Sequence, residues 1–548
     1  MPECTIYKYL WQNNKDHLND TALNYFDRKI TYGEMFVNIK KAAKAFSALG
    51  VKEGDIVVMT TVTTPETIYA FYGLNRLGAI SNMVDPRTSE EGIRDYIKEV
   101  DAKFVLTIDV ALPKIRKAIV GTGVKEVIVV SPADSLSQPK KTAFLLSNKI
   151  KGETPKLFKR CIRWKDFIEQ GKNEKPVYSH YKKDSCCVIV HTGGTTGTPK
   201  GVMLSNDNLN ALVLQSILTE IDMQPIHTWL DIMPPFIAYG IGMGICLPLV
   251  IGMENILIPS FKAEEFDKLL LKHKANHMVF VPSYWGTIIN SKRLINKDLS
   301  FIIAPTVGGD RLEIALEQQA NSFLHAHNCT YNVTKGYGMT EVCAGVTGTL
   351  GTNNEIGSVG VPFVKTTVSI FDTESGEELK YSEIGEVCIS GPNIMIGYYG
   401  NSEETAEVIK THSDGTRWVH SGDLGYINEN GSLFILGRKK RMIIRYDGFK
   451  VFPSQIEKTI TKDNSVVSCC VVGVDDKDQS QGKLPIVYAV LAGNANKSTV
   501  KAELRKLCES ELPEYAQPVD FRFIDSIPLT PIGKVDYRAL EEMAEEGL

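Results

Sequence analysis

The strongest candidate for chemistry is a loop rich in glycine and threonine, TGGTTGTPKG, at residues 192–201. It follows the apolar run CVIV at 187–190 and precedes a helix that we expect Ser205 to cap. Backbone N–H groups and hydroxyls in such a loop can surround phosphate oxygens, and Lys200 can neutralise their charge. The loop differs from the common P-loop, because no glycine directly precedes the lysine and no serine or threonine follows it. Taken alone, it is as typical of a mobile linker as of a polyphosphate site.

Four further motifs occur in the second half of the chain: GYGMTE (336–341), HSGDLGY (420–426), GRKKRMIIRYDGFKVFP (437–453) and PLTPIGKVDYRAL (528–540). They contain side chains that suit phosphate chemistry. The Glu341 carboxylate is a hard oxygen ligand of the kind Mg²⁺ prefers, and an ammonium group such as Lys534 stabilises developing negative charge. In isolation, a Thr–Glu pair would indicate helix capping and a single lysine would indicate a solvated surface.

In this order, the motifs resemble the adenylate-forming (AMP-binding) superfamily, which contains acyl- and aryl-CoA synthetases, adenylation domains of peptide synthetases, and luciferases. The resemblance runs from ITYGEM at residue 30 to GKVDYRAL at residue 533 and favours the acyl-CoA synthetase, or fatty-acid–CoA ligase, branch. It implies an acid–thiol ligase. ATP would convert a carboxylic acid into acyl-AMP and pyrophosphate, and coenzyme A would then accept the acyl group. The implied cofactors are ATP, Mg²⁺ and coenzyme A.

The resemblance also implies a role for each residue of the nucleotide site. The phosphate loop would comprise Thr192, Gly193, Gly194, Thr195, Thr196, Gly197, Thr198 and Lys200. The adenine pocket would comprise Gly309, Asp310 and Arg311, with Tyr337 as a stacking face for the base. Thr340 would donate to the α-phosphate and Glu341 would hold Mg²⁺, whereas Asp423 would accept the ribose hydroxyls and Arg438 would contact ribose and phosphate.

Two half-reactions imply two arrangements of the same chain. Lys534 would reach the α-phosphate during adenylation. A small mobile domain (439–548) would then rotate on the large one (1–438) about a hinge near Lys440. That rotation would withdraw Lys534 and bring in the segment 446–450, where Gly448 lets backbone approach the pantetheine and Lys450 meets the CoA phosphate.

The acid pocket is expected around residues 236–242, 281–286, 308–310 and 336–345, with Tyr239, Met243 and Trp285 as candidate lining residues. Amino-acid-activating relatives carry an aspartate directly after the phenylalanine of this region, whereas Ile237 follows Phe236 here. A fatty or aryl acid is therefore expected. Two alternatives stay open: an enzyme that loads a separate acyl-carrier protein, and a non-catalytic nucleotide binder, which the presence of Glu341 and Lys534 disfavours.

The elements that must position these residues are those of an α/β chain. A length of 548 residues corresponds to roughly two to four domains. Thr31 and Glu34 form a capping box before a helix that Gly50 ends, and Pro65–Leu77 is a second helix. We expect strands at 102–108, 124–130, 187–190, 277–281, 301–306 and 329–333, and hence parallel-rich sheets flanked by helices.

A β-rich subdomain follows with strands in TTVSIF, GEVCIS, SLFIL and RMIIR. A small α+β domain then has helices at 453–462 and 498–511 and strands at 466–474, 484–492 and 519–524.

Composition narrows the possible partners. The balance of 61 basic and 65 acidic residues gives a formal charge of −4, so we expect no nucleic-acid partner.

The eleven cysteines show no CxxC spacing, and the N-terminus lacks a signal-peptide core, which together favour a cytoplasmic protein. The apolar run 232–259 contains four prolines and is expected to be buried core rather than a membrane span. The basic segment 140–165 is either a solvated insertion or a peripheral contact with an anionic membrane or an acidic carrier protein.

Overall fold

Strands and helices alternate along most of the chain in the computed structural model, which describes residues 1–151, 156–192, 200–260, 262–447, 449–476, 482–493, 495–530 and 534–546. The helices are α1 (Ile6–Asn14), α2 (Tyr32–Ala48), α3 (Pro65–Leu77), α4 (Glu90–Glu99), α5 (Leu112–Ala118), α6 (Lys140–Ile150), α7 (Trp164–Gln170), α8 (Asn206–Ile217), α9 (Leu247–Ile251), α10 (Phe266–His273), α11 (Tyr284–Ile289), α12 (Ile314–Ala326), α13 (Ser402–Val408), α14 (Pro453–Ile460), α15 (Lys497–Glu511) and α16 (Tyr537–Glu546).

The strands before residue 400 are β1 (Thr21–Tyr25), β2 (Arg28–Thr31), β3 (Ile56–Thr60), β4 (Ile80–Val84), β5 (Phe104–Ile108), β6 (Glu126–Val130), β7 (Cys161–Arg163), β8 (Cys186–His191), β9 (Gly201–Ser205), β10 (Thr228–Asp231), β11 (Glu254–Leu257), β12 (His277–Phe280), β13 (Ala304–Val307), β14 (Thr334–Tyr337), β15 (Thr347–Gly348), β16 (Val361–Pro362), β17 (Thr367–Phe371), β18 (Gly385–Ser390) and β19 (Gly397–Tyr398). The later strands are β20 (Ile409–Thr411), β21 (Arg417–Ile427), β22 (Leu433–Arg438), β23 (Ile443–Ile444), β24 (Lys450–Val451), β25 (Val466–Asp475), β26 (Lys483–Leu491) and β27 (Asp520–Phe523).

Two large sheets position most of the residues that the sequence analysis assigned to the nucleotide and acid sites. One has the strand order β19-β9-β8-β4-β3-β5-β6-β7, and the other has the order β16-β15-β14-β13-β12-β10-β11-β1-β2. The inner strands of both pair in parallel, and antiparallel strands close their edges. Helices α2 and α3 pack together, and their buried faces belong to the main hydrophobic core. The predicted α/β architecture with parallel-rich sheets is confirmed.

Local signals in the sequence account for the helix ends. Thr31 and Glu34 form the predicted capping box of α2, and Gly50 follows that helix with a φ of +91°. Helix α3 spans the predicted residues because Thr64 caps its start, Pro65 occupies its first turn, and Gly78 closes it in the left-handed region.

Three details of the strand prediction are wrong. Residues 329–333 form no strand; β14 begins one residue later, where Thr334 pairs with Thr306 of β13. The segment RMIIR belongs to the small C-terminal part rather than the β-rich subdomain, because Ile443 pairs with Val451. Ser205 does cap α8, but strand β9 lies between the phosphate loop and that helix.

The β-rich subdomain is a sheet of order β17-β18-β21-β20 with β22 on β21. After residue 440, β25, β26 and β27 form a separate sheet covered by α14, α15 and α16, with hydrophobic clusters of its own. The predicted small α+β domain is confirmed as a fold. Its boundary at residue 438 and its mobility stay predictions.

Two segments were singled out by their composition, one apolar and one basic. The apolar run 232–259 folds into a π-helical turn (Gly240–Cys246), α9 and β11, and its side chains are largely buried. Over the part of the chain that the structure describes, no helix combines the length and the apolar character needed to cross a membrane.

In the basic segment 140–165, helix α6 has no buried residue and exposes Leu145, Leu146 and Ile150.

Candidate active site

The two ends of the phosphate loop close on each other. The Thr192 N–H donates to the Lys200 carbonyl at 3.0 Å, and the Lys200 N–H donates to Thr192 Oγ1 at 3.1 Å. Strands β8 and β9 pair antiparallel, with His191 opposite Gly201, and this pairing holds the two ends of the loop side by side. The predicted phosphate ligands Gly193, Gly194, Thr195, Thr196, Gly197 and Thr198 lie outside the described residues.

Lys200 and Glu341 are connected through one tyrosine that the sequence analysis did not identify. The Tyr398 hydroxyl donates to Glu341 Oε1 at 2.8 Å, and the Lys200 ammonium lies 4.9 Å from the centre of the Tyr398 ring. Lys200 also forms an ion pair with Glu404 at 2.7 Å. Glu341 is only 8% exposed. Thr340 precedes it in a short 3-10 turn and lines the adjoining cavity.

Mg²⁺ usually binds to one or two carboxylates together with phosphate oxygens and water. A single buried carboxylate held by a neighbouring hydroxyl fits that requirement. Glu341 therefore fits a Mg²⁺ that also contacts ATP, although among the described residues no group of three or more histidine, cysteine or acidic side chains is arranged as a metal cluster. The predicted role of Glu341 stays a prediction.

Tyr337, Asp423 and Arg438 form one hydrogen-bonded group. The Tyr337 hydroxyl donates to Asp423 Oδ2 at 2.6 Å, and Arg438 Nε lies 3.0 Å from Asp423 Oδ1. Asp423 and Arg438 are direct partners on β21 and β22, so strand register brings them together. Burial raises the pKa of the Asp423 carboxyl, and Arg438 and the Tyr337 hydrogen bond offset part of that rise. Tyr337 and Arg438 are therefore the protein partners of the carboxylate that the resemblance assigns to the ribose hydroxyls.

Residues 309–311 contact two different parts of the molecule: the first lines the cavity, and the next two contact the C-terminal domain. Gly309 lines the cavity with a φ of +82°. Asp310 Oδ2 accepts the Val535 N–H at 3.2 Å, and Arg311 pairs with Glu457 at 3.4 Å and with Glu313 at 3.3 Å. Asp310 and Arg311 thus contact the C-terminal domain, and their predicted part in the adenine pocket stays a prediction.

Lys534 lies at the cavity. A Cβ placed on Gly309 would be 3.9 Å from Lys534 Cε, and Lys534 is among the residues that line the cavity. Its backbone is held by the Thr530 N–H, which donates to the Lys534 carbonyl at 2.7 Å. The side chain keeps exposed surface toward the cavity, but the protein around the ammonium desolvates it and lowers its pKa. Asp310 and Asp423 offset part of that effect.

The segment that the resemblance assigns to coenzyme A, residues 446–450, is represented away from the cavity by Lys450. Lys450 forms an exposed ion pair with Glu374 of the β-rich subdomain at 2.6 Å and does not line the cavity. Lys440 is exposed in a 3-10 turn (Lys439–Arg441) between β22 and β23, at the predicted hinge. Gly448 lies outside the described residues.

The cavity continues from Lys534 into the interior of the large domain. It encloses about 1300 Å³ of atom-free space, open solvent at its mouth included. Its surface is mainly apolar and includes two of the three predicted lining residues, Tyr239 and Met243. Trp285 instead packs in the core against Phe280, with ring centroids 5.5 Å apart.

His191, at the end of β8, lines the same cavity and was not predicted as a site residue. Its Nε2 lies 2.7 Å from Asn82 Oδ1, so Nε2 carries the proton and Nδ1 is left as an acceptor. Burial lowers the pKa of His191 to about 4, which keeps it neutral near pH 7. Its position directly before the glycine- and threonine-rich motif was the available signal.

Comparison with known proteins identifies the family of this chain. The model of the AMP-binding enzyme family matches residues 10–399, and that of the AMP-binding enzyme C-terminal domain matches residues 455–534. The chain belongs to the AMP-binding enzyme family. It is 28% identical to a long-chain-fatty-acid–CoA ligase of Bacillus subtilis (strain 168), over 100% of this chain and 96% of that protein. It is 26% identical to 4-coumarate–CoA ligase 2 of Solanum tuberosum, over 95% of this chain and 90% of that protein.

Solved structures show the same fold. ATP-bound MatB from Rhodopseudomonas palustris superposes with a TM-score of 0.84 at 22% identity and covers 99% of both chains. The predicted membership of the adenylate-forming superfamily, and of its acid–thiol ligases as a class, is confirmed, and ATP use follows from it.

Proposed function

We propose that this enzyme activates a medium- to long-chain fatty acid with ATP and transfers the acyl group to coenzyme A. The observation that carries the proposal is one continuous cavity. It is lined by Lys534, Thr340 and Tyr337 and also by residues on inner strands of the nine-stranded sheet, and its surface is mainly apolar. The similarity to fatty-acid–CoA and 4-coumarate–CoA ligases supports the same reaction class.

The length of the channel favours an alkyl chain over a single aromatic ring. Ala304 and Gly308 both line it, four residues apart along β13 and its extension, which corresponds to about 13 Å. Carbon–carbon bonds of about 1.5 Å advance an extended chain by about 1.25 Å each, so about ten carbons fit over that length. At this level of the channel Lys335 also lines the cavity, but its charge is already paired with buried Glu317, so it offers no counter-ion to a second charge on the acid.

In the first half-reaction, an oxygen of the substrate carboxylate attacks the α-phosphorus, the bond to the β-phosphate breaks, and pyrophosphate leaves. Lys534 supplies its ammonium where charge builds on the α-phosphate, and the Thr340 hydroxyl donates to the same group. Lys200 leaves its ion pair with Glu404 to bind phosphate, and this change costs little free energy. An ion pair that is about one-third exposed contributes little to stability. Bound Mg²⁺ would neutralise phosphate charge, with Glu341 as its protein ligand.

Two positions support this proposal for the first step: Lys534 lines the cavity, and Lys450 lies outside it. In the second half-reaction, the C-terminal domain turns and exchanges the two. The coenzyme A thiolate then attacks the acyl carbon, and AMP leaves with the electrons of the broken carbon–oxygen bond.

The test separates the half-reactions. Lys534→Ala should lose acid-dependent ATP–pyrophosphate exchange by several orders of magnitude while still forming thioester from supplied acyl-AMP and coenzyme A. Lys506→Ala, on an exposed face of α15, is the matched control. Equal loss of both half-reactions would contradict the assignment of Lys534.

Substrate and acceptor are tested on the wild-type enzyme. An exchange screen over fatty, aryl and amino acids should give the highest rates with fatty acids. Thioester formation on coenzyme A should then follow, and transfer only to a carrier protein would overturn the choice of acceptor.

A further inference from the structure

Helix α6 is attached to the large domain through one of its faces. The Phe144 side chain packs against the main hydrophobic core, and Lys141 Nζ donates to the Asp134 carbonyl at 3.3 Å. Phe144 and Lys141 are three residues apart and therefore lie on the same side of the helix. At the helix start, Lys140 forms an ion pair at 2.6 Å with Asp27, which lies between β1 and β2. These contacts fix which side of α6 faces outward.

The outward face of α6 carries large apolar side chains. Leu146 and Ile150 are one turn apart, and at 3.6 residues per turn both lie on the side opposite Phe144. They are 54% and 85% exposed, Leu145 beside them is 50% exposed, and no residue of this helix is buried. Helices of folded domains normally turn such a stripe toward the core. An exposed apolar stripe with a polar surround is typical of an interaction site.

Basic side chains accompany this apolar face. The segment 140–165 contains nine lysines and arginines, all of them described by the structure, and its described residues include no acidic one. They are Lys140, Lys141, Lys149, Lys151, Lys156, Lys159, Arg160, Arg163 and Lys165. All but Lys141 are exposed. Because the whole chain has a formal charge of −4, this positive charge is a local feature and not a consequence of the overall composition.

Apolar and basic side chains on one exposed helix match an anionic lipid surface. Leucine and isoleucine enter the boundary between headgroups and acyl chains, whereas the long lysine side chains keep their ammonium groups among the headgroups. The two kinds of contact together give an attachment that neither gives alone. An acidic protein that received α6 in a groove would have to enclose the helix, but one face of α6 already packs on its own domain. A lipid surface needs only the outward face.

We infer that the outward face of α6, with Leu145, Leu146 and Ile150 among exposed basic residues, attaches the enzyme peripherally to an anionic lipid bilayer. The inference goes beyond the proposed function and does not depend on it, because attachment requires neither ATP nor a particular acid. The helix would lie in the plane of the interface, since its 11 residues span about 16 Å, roughly half of the hydrocarbon thickness.

The test is cosedimentation of the full-length protein with vesicles of phosphatidylglycerol and phosphatidylcholine, compared with vesicles of phosphatidylcholine alone. The protein should bind the anionic vesicles at low salt and be released at high salt, because salt screens the attraction. Ile150→Ser should lower the partition coefficient by about fivefold or more, since an apolar side chain no longer enters the acyl region. Lys149→Gln should lower it by about fivefold at low salt.

Ile226→Ser is the matched control. Ile226 is 87% exposed, so this variant loses the same side chain as Ile150→Ser from a similarly exposed position. Ile226 precedes β10, whereas Asp27 beside α6 follows β1, and both strands run parallel to β11. The two positions therefore lie at opposite ends of these strands, and Ile226→Ser should leave vesicle binding unchanged. Thermal unfolding of all three variants should match the wild type, because none of the replaced side chains is buried.

Binding that is strong on anionic vesicles, weak on neutral ones and reduced only by the two α6 variants supports the inference. The inference fails if no protein cosediments with anionic vesicles at low salt, if neither α6 variant changes binding, or if Ile226→Ser reduces binding as much as Ile150→Ser. Binding of a purified acidic acyl-carrier protein without binding of vesicles would overturn the choice of partner. Because no substrate is added, a failure of the fatty-acid assignment leaves this test unaffected.

Discussion

The contact between Tyr398 and Glu341 leads to a direct test of the metal site. Tyr398→Phe removes one hydroxyl and keeps the ring that lies beside Lys200. The lost bond is a hydrogen bond of 2.8 Å to a buried carboxylate, and bonds to charged groups contribute about 1.5–3 kcal/mol. Loss of a group that orients a metal ligand lowers metal affinity by about 10- to 100-fold, which corresponds to the same range of free energy.

The assay is ATP–pyrophosphate exchange with a fatty acid, measured over a Mg²⁺ titration at fixed ATP. The half-saturating Mg²⁺ concentration should rise by about tenfold or more in Tyr398→Phe, and the rate at saturating Mg²⁺ should recover most of the wild-type value. The loss is one of affinity rather than of a group that touches the reacting atoms, because Tyr398 acts through Glu341.

Tyr399→Phe provides the control. Tyr399 is the adjacent residue, is partly buried, and packs against a different hydrophobic cluster. Its loss of a hydroxyl should leave the Mg²⁺ titration unchanged. The reasoning is refuted if Tyr398→Phe titrates like the wild type, or if both variants shift together, since a general loss of packing would then account for the effect.

Three further predictions concern stability and the thiol half-reaction. Burial raises the pKa of Glu66 from 4.5 to about 7. The folded protein therefore binds a proton that the unfolded chain has released between these values, and stability falls as pH rises through that window, by about 3 kcal/mol in all. Glu66→Gln should remove this dependence, so thermal unfolding from pH 5 to pH 8 should show a gain over wild type that grows with pH; a constant difference would contradict the assignment. Lys450→Ala breaks only an exposed ion pair with Glu374, so exchange should be unchanged while KM for coenzyme A rises. Gly448→Trp should likewise spare exchange and block thioester formation, and a collapse of exchange in either variant would count against the segment 446–450 as the thiol channel.

The elements that were predicted well are those whose signals are local. Helix α3 has its cap, its proline and its closing glycine within the printed sequence, and its observed ends match the prediction. Strand β21 was missed although it is eleven residues long, because HSGDLGY contains residues with low strand propensity. Its extended form depends on pairing with β18 on one side and β22 on the other, and such tertiary pairing leaves no periodic pattern in the sequence.

The same distinction applies to the site. Motif order identified Glu341, Asp423, Arg438 and Lys534 as candidates, but it could not show that Tyr398 contacts Glu341 across 57 positions. Nor could it show that Trp229 and His277 are neighbours, since strand register between β10 and β12 sets that contact. Motif resemblance indicates which residue types take part, whereas side-chain partners follow from register and packing.

The segment 309–311 has a consequence for how ligands and domain position influence each other. One residue of it forms cavity wall, and the next two hold Val535 and Glu457 of the C-terminal domain. Any ligand that prefers one placement of this segment must therefore favour one placement of that domain, and by thermodynamic reciprocity the domain must change the affinity for the ligand by the same factor. Variants of Glu457, remote from the reacting atoms, should consequently alter ATP affinity and the balance between the two half-reactions together.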